Sequence, residues 1–290
     1  MSLAKSTCRA LPRSVFISHG GGPCFFYEAA GPFSAIDKNS RVAADFRKLS
    51  TVLPKPKVIV ICTAHWEADG PKIRVTGQPA PSLVYDYYGF PAETYKLTYP
   101  APGDPQLAAD IVALLKGAGI SAELELERGF DHGVFIPLKM IYPDADVPVV
   151  AISLSSTLDP AFHISVGKAL SGLAGRGVLV FGSGMATHNL GMVRSAAAHG
   201  EGVPVEPRAG AFIDWLKATL GDGVSAQERE RRLLRWTEEA PHARHSHPRE
   251  EHLLPLHVAA GAAGFAAGEL VLDATVFGGM SMASFAFGQQ

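Results

Sequence analysis

The chain has 290 residues, 47% of them hydrophobic, and a formal net charge of -2. That composition excludes global disorder and supplies no basic surface for nucleic acid or an anionic membrane. No stretch approaches the roughly 20 apolar residues of a membrane span. Cys8, Cys24 and Cys62 are odd in number and lack CxxC spacing, which points to a reduced, cytoplasmic protein. Residues 1–13 read as a loose lead-in without the continuous apolar run of a signal peptide.

The first strand is expected over 14–18, ending in His19 and three glycines. Residues 40–52 read as a helix, with Val42, Phe46 and Leu49 on one face. After Pro54 and Pro56, a strand over 57–63 delivers His65, and a short strand follows at 73–75. The long irregular piece 78–105 carries Tyr85, Tyr87, Tyr88, Phe90, Tyr95 and Tyr99. A loop of that length in a compact domain is a candidate lid, although aromatics also simply pack a loop onto its body. Next come a helix at 105–117, a strand at 121–126, the loop Gly129-Phe130-Asp131-His132-Gly133, a helix at 134–141 and a buried strand at 147–153. A helix at 160–174 and a strand at 177–181 then run into a turn, Gly182-Ser183-Gly184, before His188. Residues 205–237 are mainly helical, a helix is expected over 248–261, and strands at 269–276 and 281–287 close the chain. Strands alternating with helices predict an α/β fold, a mostly parallel or mixed sheet with helices on both faces, in one large domain over 1–290.

Histidine is the unusual count, at 11. His19 and His65 each follow a buried strand, and neighbouring parallel strands would bring the two together; neutral imidazoles so placed suit a transition metal. His188 follows a third strand. The turn before it has neither the GxxxxGK[ST] pattern of a phosphate loop nor the Gly-x-Ser-x-Gly of a nucleophile elbow. His132 lies beside Asp131, which could fix its tautomer. His252 would lie one turn into the helix from 248, with Glu251 as a rival ligand; residues adjacent in a helix point about 100° apart, so one ion would not take both. His242, His245 and His247 are expected to face solvent, and His163 and His199 carry no assigned role.

Five motifs in this order resemble one family. They are Ser18-His19-Gly20-Gly21, Ala64-His65-Trp66, Gly129-Phe130-Asp131-His132-Gly133, Gly184-Met185-Ala186-Thr187-His188-Asn189-Leu190 and Glu251-His252-Leu253-Leu254-Pro255-Leu256. The family is the class III, LigB-type extradiol ring-cleavage dioxygenases, with the 4,5-DOPA extradiol dioxygenases as the most similar branch. Tyr99-Pro100-Ala101-Pro102-Gly103 and Tyr142-Pro143-Asp144-Ala145-Asp146-Val147-Pro148 look like that branch as well. The resemblance implies that His19, His65 and His252 bind the metal. It implies that His188 is either a further ligand or the acid/base, and that His132 lines the substrate pocket. Its cofactor would be Fe(II), while a four-histidine site would also hold Zn(II). Its partners would be a small aromatic diol and O2.

That chemistry suits the residue types. Three protein ligands leave open positions on Fe(II) for both diol oxygens and O2. A base must take a catechol proton and an acid must return one, work for which histidine is suited; His188 is the candidate, with His132 as a hydrogen-bond donor or second base. If His188 also binds the metal at rest, it must leave when substrate arrives. A zinc hydrolase, or a non-catalytic metal-binding protein of the same fold, are the competing readings.

Overall fold

The computed structural model describes residues 10–199 and 203–289. Cys8 and most of the expected lead-in lie outside them. In chain order the strands are β1 (Ser14–Ser18), β2 (Val58–Ala68), β3 (Lys72–Thr76), β4 (Ser121–Glu125), β5 (Val149–Ser155), β6 (Val178–Gly184), β7 (Gly268–Leu272), β8 (Thr275–Val276), β9 (Met280–Ser281) and β10 (Ser284–Phe287). The helices are α1 (Arg41–Val52), α2 (Pro105–Gly117), α3 (His132–Ile141), α4 (Pro160–Leu170), α5 (Leu190–His199), α6 (Pro207–Leu220), α7 (Ala226–Leu234), α8 (Trp236–Glu239), α9 (Ala243–Ser246) and α10 (Leu254–Ala262). Ser40, Asp104, Asp159 and Ser225 start α1, α2, α4 and α7, each accepting a backbone N–H from the first turn. Among the described residues no helix is long and apolar enough to cross a membrane.

Eight strands form one sheet in the order β4-β3-β5-β2-β6-β1-β10-β7. Its centre is parallel, β5 to β2 to β6 to β1, and β10 and β7 extend it antiparallel. At the other side β3 runs antiparallel to β5 and parallel to β4. The expected mixed α/β sheet is therefore present.

The central strands read as continuous apolar runs because both of their faces are covered. Val15, Ile17, Ile59, Ile61, Leu179 and Phe181 pack toward α1 and α3. Their neighbours Val58, Val60, Cys62, Val178 and Val180 pack toward α2, α4 and α10. Helices α4 and α10 touch through glycines: a Cβ on Gly167 would meet the Val258 carbonyl at 2.2 Å, and one on Gly261 the Ile164 carbonyl at 2.7 Å.

Several sequence expectations change in the strands. β2 does not stop before His65 but continues to Ala68. Cys62 pairs with Ile152 and Glu67 with Leu154, so β2 carries extra residues around His65 that its partner lacks. Such a bulge re-aims side chains at a strand end. Gly182-Ser183-Gly184 is no turn but the end of β6. Its glycines serve close approach, since a Cβ on Gly182 would meet the Pro255 carbonyl at 2.0 Å and one on Gly184 the His252 carbonyl at 2.1 Å. The strand expected over 269–276 is split into β7 and β8, and that over 281–287 into β9 and β10.

Some histidines serve the core. His163, fully buried on α4, donates through Nδ1–H to the Asp159 carbonyl at 2.7 Å and accepts the Ser155 N–H at Nε2, at 3.1 Å. A proton on Nε2 would face another N–H. Burial is the larger cause, and the pKa falls from 6.5 to about 4. The unfolded chain then binds more protons between about pH 6.5 and 4, so stability is lost as pH falls through that window. At 1.36 kcal/mol per unit the loss from this residue is about 3 kcal/mol. Urea unfolding of wild type and His163→Gln should show it: the variant loses less stability between pH 7 and pH 4. Parallel pH curves would remove His163 as a cause.

Candidate active site

His19 follows β1 directly, and its N–H donates to the Gly184 carbonyl at 2.9 Å. His65 stands on the irregular end of β2. The two strands are not neighbours as expected, because β6 lies between them. The rings meet nonetheless beside the end of β6, where Ser183 and Gly184 are small. Nε2 of His19 lies 3.1 Å from Nε2 of His65.

The other nitrogen of each ring faces an acceptor, which favours the tautomer protonated at Nδ1. Ser183 donates its hydroxyl to the Gly133 carbonyl, so toward Nδ1 of His19, at 2.9 Å, it can only accept. One oxygen of Asp86 takes both the backbone N–H of His132 and its Nδ1–H, each at 2.8 Å. The other oxygen lies 3.4 Å from Nδ1 of His65. Glu251 accepts from Nδ1 of His252 at 2.8 Å and lies 3.5 Å from Nδ1 of His188. With every Nδ1–H so directed, five Nε2 lone pairs are left for ligands or protons.

Two groups of donor atoms result. Those of His19, His65 and His132 lie within 4.8 Å of one another, and so do those of His188, Glu251 and His252. His252 borders both groups: its ring centre is 5.4 Å from that of His19 and 4.9 Å from that of His65, and its ring stacks on His188 at 3.5 Å. The ring of His132 is 3.9 Å from that of His65 and 5.5 Å from that of His19.

Burial first, and then the neighbouring imidazoles, lower the pKa of His19 and of His65 well below the ordinary value. His252 falls to about 4, mainly through burial and secondarily through His188. All three are therefore neutral near pH 7, the form that binds metal. Burial alone would raise Glu251, but hydrogen bonds from His188 and His252 hold it below the usual carboxylate range.

Several local expectations are corrected here. His132 is not in a loop but is the first residue of α3. Its tautomer is set by Asp86, not Asp131; the Asp131 carboxylate is taken by Thr63 at 2.8 Å and Arg128 at 3.1 Å. His252 is not one turn into a helix, since α10 begins only at Leu254. Glu251 and His252 are therefore not held 100° apart by a helix, and the carboxylate grips the imidazole instead of competing with it. His247 is fully buried, donating to the Ala186 carbonyl at 2.9 Å, and His245 pairs with Glu206 at 2.6 Å; His242 is exposed as expected. In the aromatic segment, Tyr85, Tyr87 and Tyr95 donate to backbone carbonyls of the same segment and brace it internally, while Tyr99 donates to the Tyr142 carbonyl and ties it to the body. Phe90, not a tyrosine, lines the cavity beside His188. Asp86 and Ser183 are the residues missed in the sequence: neither carries a local pattern, and each meets its histidine over a long separation in the chain.

The donor set fits a divalent metal. Two imidazole nitrogens on one ion at about 2.1 Å sit roughly 3.1–3.4 Å apart, and their ring centres roughly 4.7–5.2 Å apart. His19 and His65 have those spacings, with ring centres 4.9 Å apart, and His252 comes close to them on both sides. Two lone pairs facing at 3.1 Å repel unless a cation shares them.

A strand-end histidine centre of this kind on a mixed α/β sheet defines a metal-dependent enzyme class. Residues 15–288 match the family of the catalytic LigB subunit of aromatic ring-opening dioxygenase, and the chain belongs to that family as an extradiol dioxygenase. It is 39% identical over 272 residues to the 4,5-DOPA dioxygenase extradiol of Beta vulgaris, spanning 91% of this chain and 95% of that protein. It is 36% identical over 263 residues to dioxygenase tasH of Hapsidospora irregularis, spanning 89% and 80%. The crystal structure of an uncharacterized protein from Escherichia coli K12 superposes with a TM-score of 0.73 at 30% identity, covering 95% of this chain and 99% of that one. Family membership sets aside the hydrolase and non-catalytic readings.

Proposed function

We propose that the enzyme opens the ring of a catechol, beside the diol, using Fe(II) and O2. His19, His65 and His252 would hold the metal. The observation that carries this reading is the 3.1 Å approach of Nε2 of His19 to Nε2 of His65, with both Nδ1 atoms facing acceptors. His252 is preferred to His132 as third ligand because its ring stands about 5 Å from both others, whereas His132 crowds His65. When bound, Fe(II) supplies a Lewis-acidic redox centre at which both diol oxygens and O2 can be held. Zn(II) fits the same nitrogens and would give a resting form.

The chain's own residues do the proton work. Nε2 of His188 takes a catechol proton and returns one later, and Glu251 beside its Nδ1 stabilises the imidazolium between those events. His132, held by Asp86, directs its Nε2 toward the same space as a hydrogen-bonding partner or second base. Apolar side chains line the space beside His188.

Two experiments test this reading. Anaerobic loading with Fe(II), followed by oxygen uptake with a panel of catechols, should give a yellow ring-opened product; no uptake with any diol would sink it. The variant His188→Phe should keep its iron and bind catechol within a few-fold of wild type, while kcat falls by roughly 100-fold or more. Loss of iron in that variant would move His188 into the ligand set.

A further inference from the structure

Beside the histidine centre lies a cavity of about 190 Å³. His188 forms one wall, and Gly20, next to His19, forms part of another. The rest is apolar, with Phe33, Phe90, Val276, Phe277 and Met280 prominent. Among the described residues that line it, none is an Asp, Glu, Lys or Arg. Cys24 lies on the lining too, but burial pushes its thiol up to about 11, so it stays neutral, and it donates to the Gly21 carbonyl. The carboxylates nearest the histidines are occupied: Asp86 by His132, and Glu251 by His252.

A cavity of about 150 Å³ holds one benzene ring. The space here therefore takes a ring with a short substituent. The alanyl group of DOPA carries an ammonium and a carboxylate, and the lining of this cavity offers neither a counter-charge. Buried charge without a partner is strongly disfavoured. We propose that this enzyme selects catechols with a short apolar substituent and discriminates against catechols bearing an amino-acid side chain. The proposal rests on the reading that a catechol binds at the His19–His65 centre, and it departs from what the names of several relatives describe.

The test uses the full chain loaded with Fe(II). Oxygen uptake is measured with 4-methylcatechol, 4-ethylcatechol, 3,4-dihydroxyphenylacetate and L-DOPA, and anaerobic calorimetric titration gives Kd for the same four. The expected result is kcat/KM at least about 100-fold higher, and Kd at least about 10-fold lower, for the two alkylcatechols than for L-DOPA. A second arm uses Phe33→Lys, at a position already 38% exposed and so tolerant of a long cation. It should narrow the gap between 4-methylcatechol and 3,4-dihydroxyphenylacetate at least tenfold.

Turnover or binding of L-DOPA as good as that of the alkylcatechols overturns the selectivity and leaves ring cleavage standing. Selective binding of alkylcatechols without oxygen uptake overturns ring cleavage and upholds the selectivity. No binding of any of the four overturns both.

Discussion

Replacement of His19 or His65 by alanine is expected to leave a folded protein that no longer retains its metal. Each ring contributes one of the two nitrogens that face each other at 3.1 Å. Neither imidazole closes a hydrophobic layer of the core; His19 follows the end of β1 and His65 sits in the irregular part of β2, and the apolar residues of both strands remain in place. Without a cation the two lone pairs repel, so removing one ring costs the metal-free fold little. With a cation, a ligand is lost outright. Loss of a residue that merely orients a ligand lowers metal affinity 10–100-fold, so loss of the ligand itself should exceed about 100-fold, with activity following. Elemental analysis after dialysis, beside the melting temperature of the metal-free protein, separates the two effects. Undiminished metal content in both variants would dismiss these residues from the centre.

Asp86→Asn should weaken the centre without removing any ligand. The carboxylate faces two Nδ1–H groups, of His132 at 2.8 Å and of His65 at 3.4 Å, and also takes the backbone N–H of His132. Burial alone would raise the pKa of Asp86, but its hydrogen bonds and charge interaction with His132 together keep it below the ordinary value, so it serves as an anion near pH 7. An amide offers one acceptor oxygen and one N–H2 group. Whichever way it turns, one histidine meets a donor at Nδ1 and must move its proton to Nε2, where the lone pair is needed. Metal affinity should fall 10–100-fold, with unfolding shifted by no more than about 1–2 kcal/mol. Competition with a chromophoric chelator measures the first and urea titration the second. Wild-type metal affinity in Asp86→Asn would show that the carboxylate does not govern the tautomers.

These two predictions rest on residues of very different visibility. The strands carrying His19 and His65 were plain in the sequence, because a sheet covered on both faces demands continuous runs such as Val15-Phe16-Ile17 and Val58-Ile59-Val60-Ile61. A polar residue straight after such a run stands out. Asp86 did not, since an aspartate between tyrosines in a long loop has no periodicity, and its partner His132 lies 46 residues away. Gly182 and Gly184 misled for a physical reason: glycine marks turns, yet it equally allows two backbones to touch, and only the chain opposite reveals which. The stretch around His252 misled in another way. Pro248 with Glu250 and Glu251 imitates a helix start, but the helix begins six residues beyond that proline, at Leu254, with Pro255 in its first turn. Burial of His247 was equally hidden, because imidazole suits both water and a core that offers it a carbonyl.

Strand β1 lies between β6 and β10, both built from the far half of the chain. During synthesis His19 and His65 therefore emerge long before Ser183, Glu251 and His252, and before any neighbour that could hold β1 in a sheet. A nascent chain has two loose imidazoles and no cage. Metal uptake must then follow near-completion of the polypeptide, which makes metal content a readout of whether the whole molecule has closed.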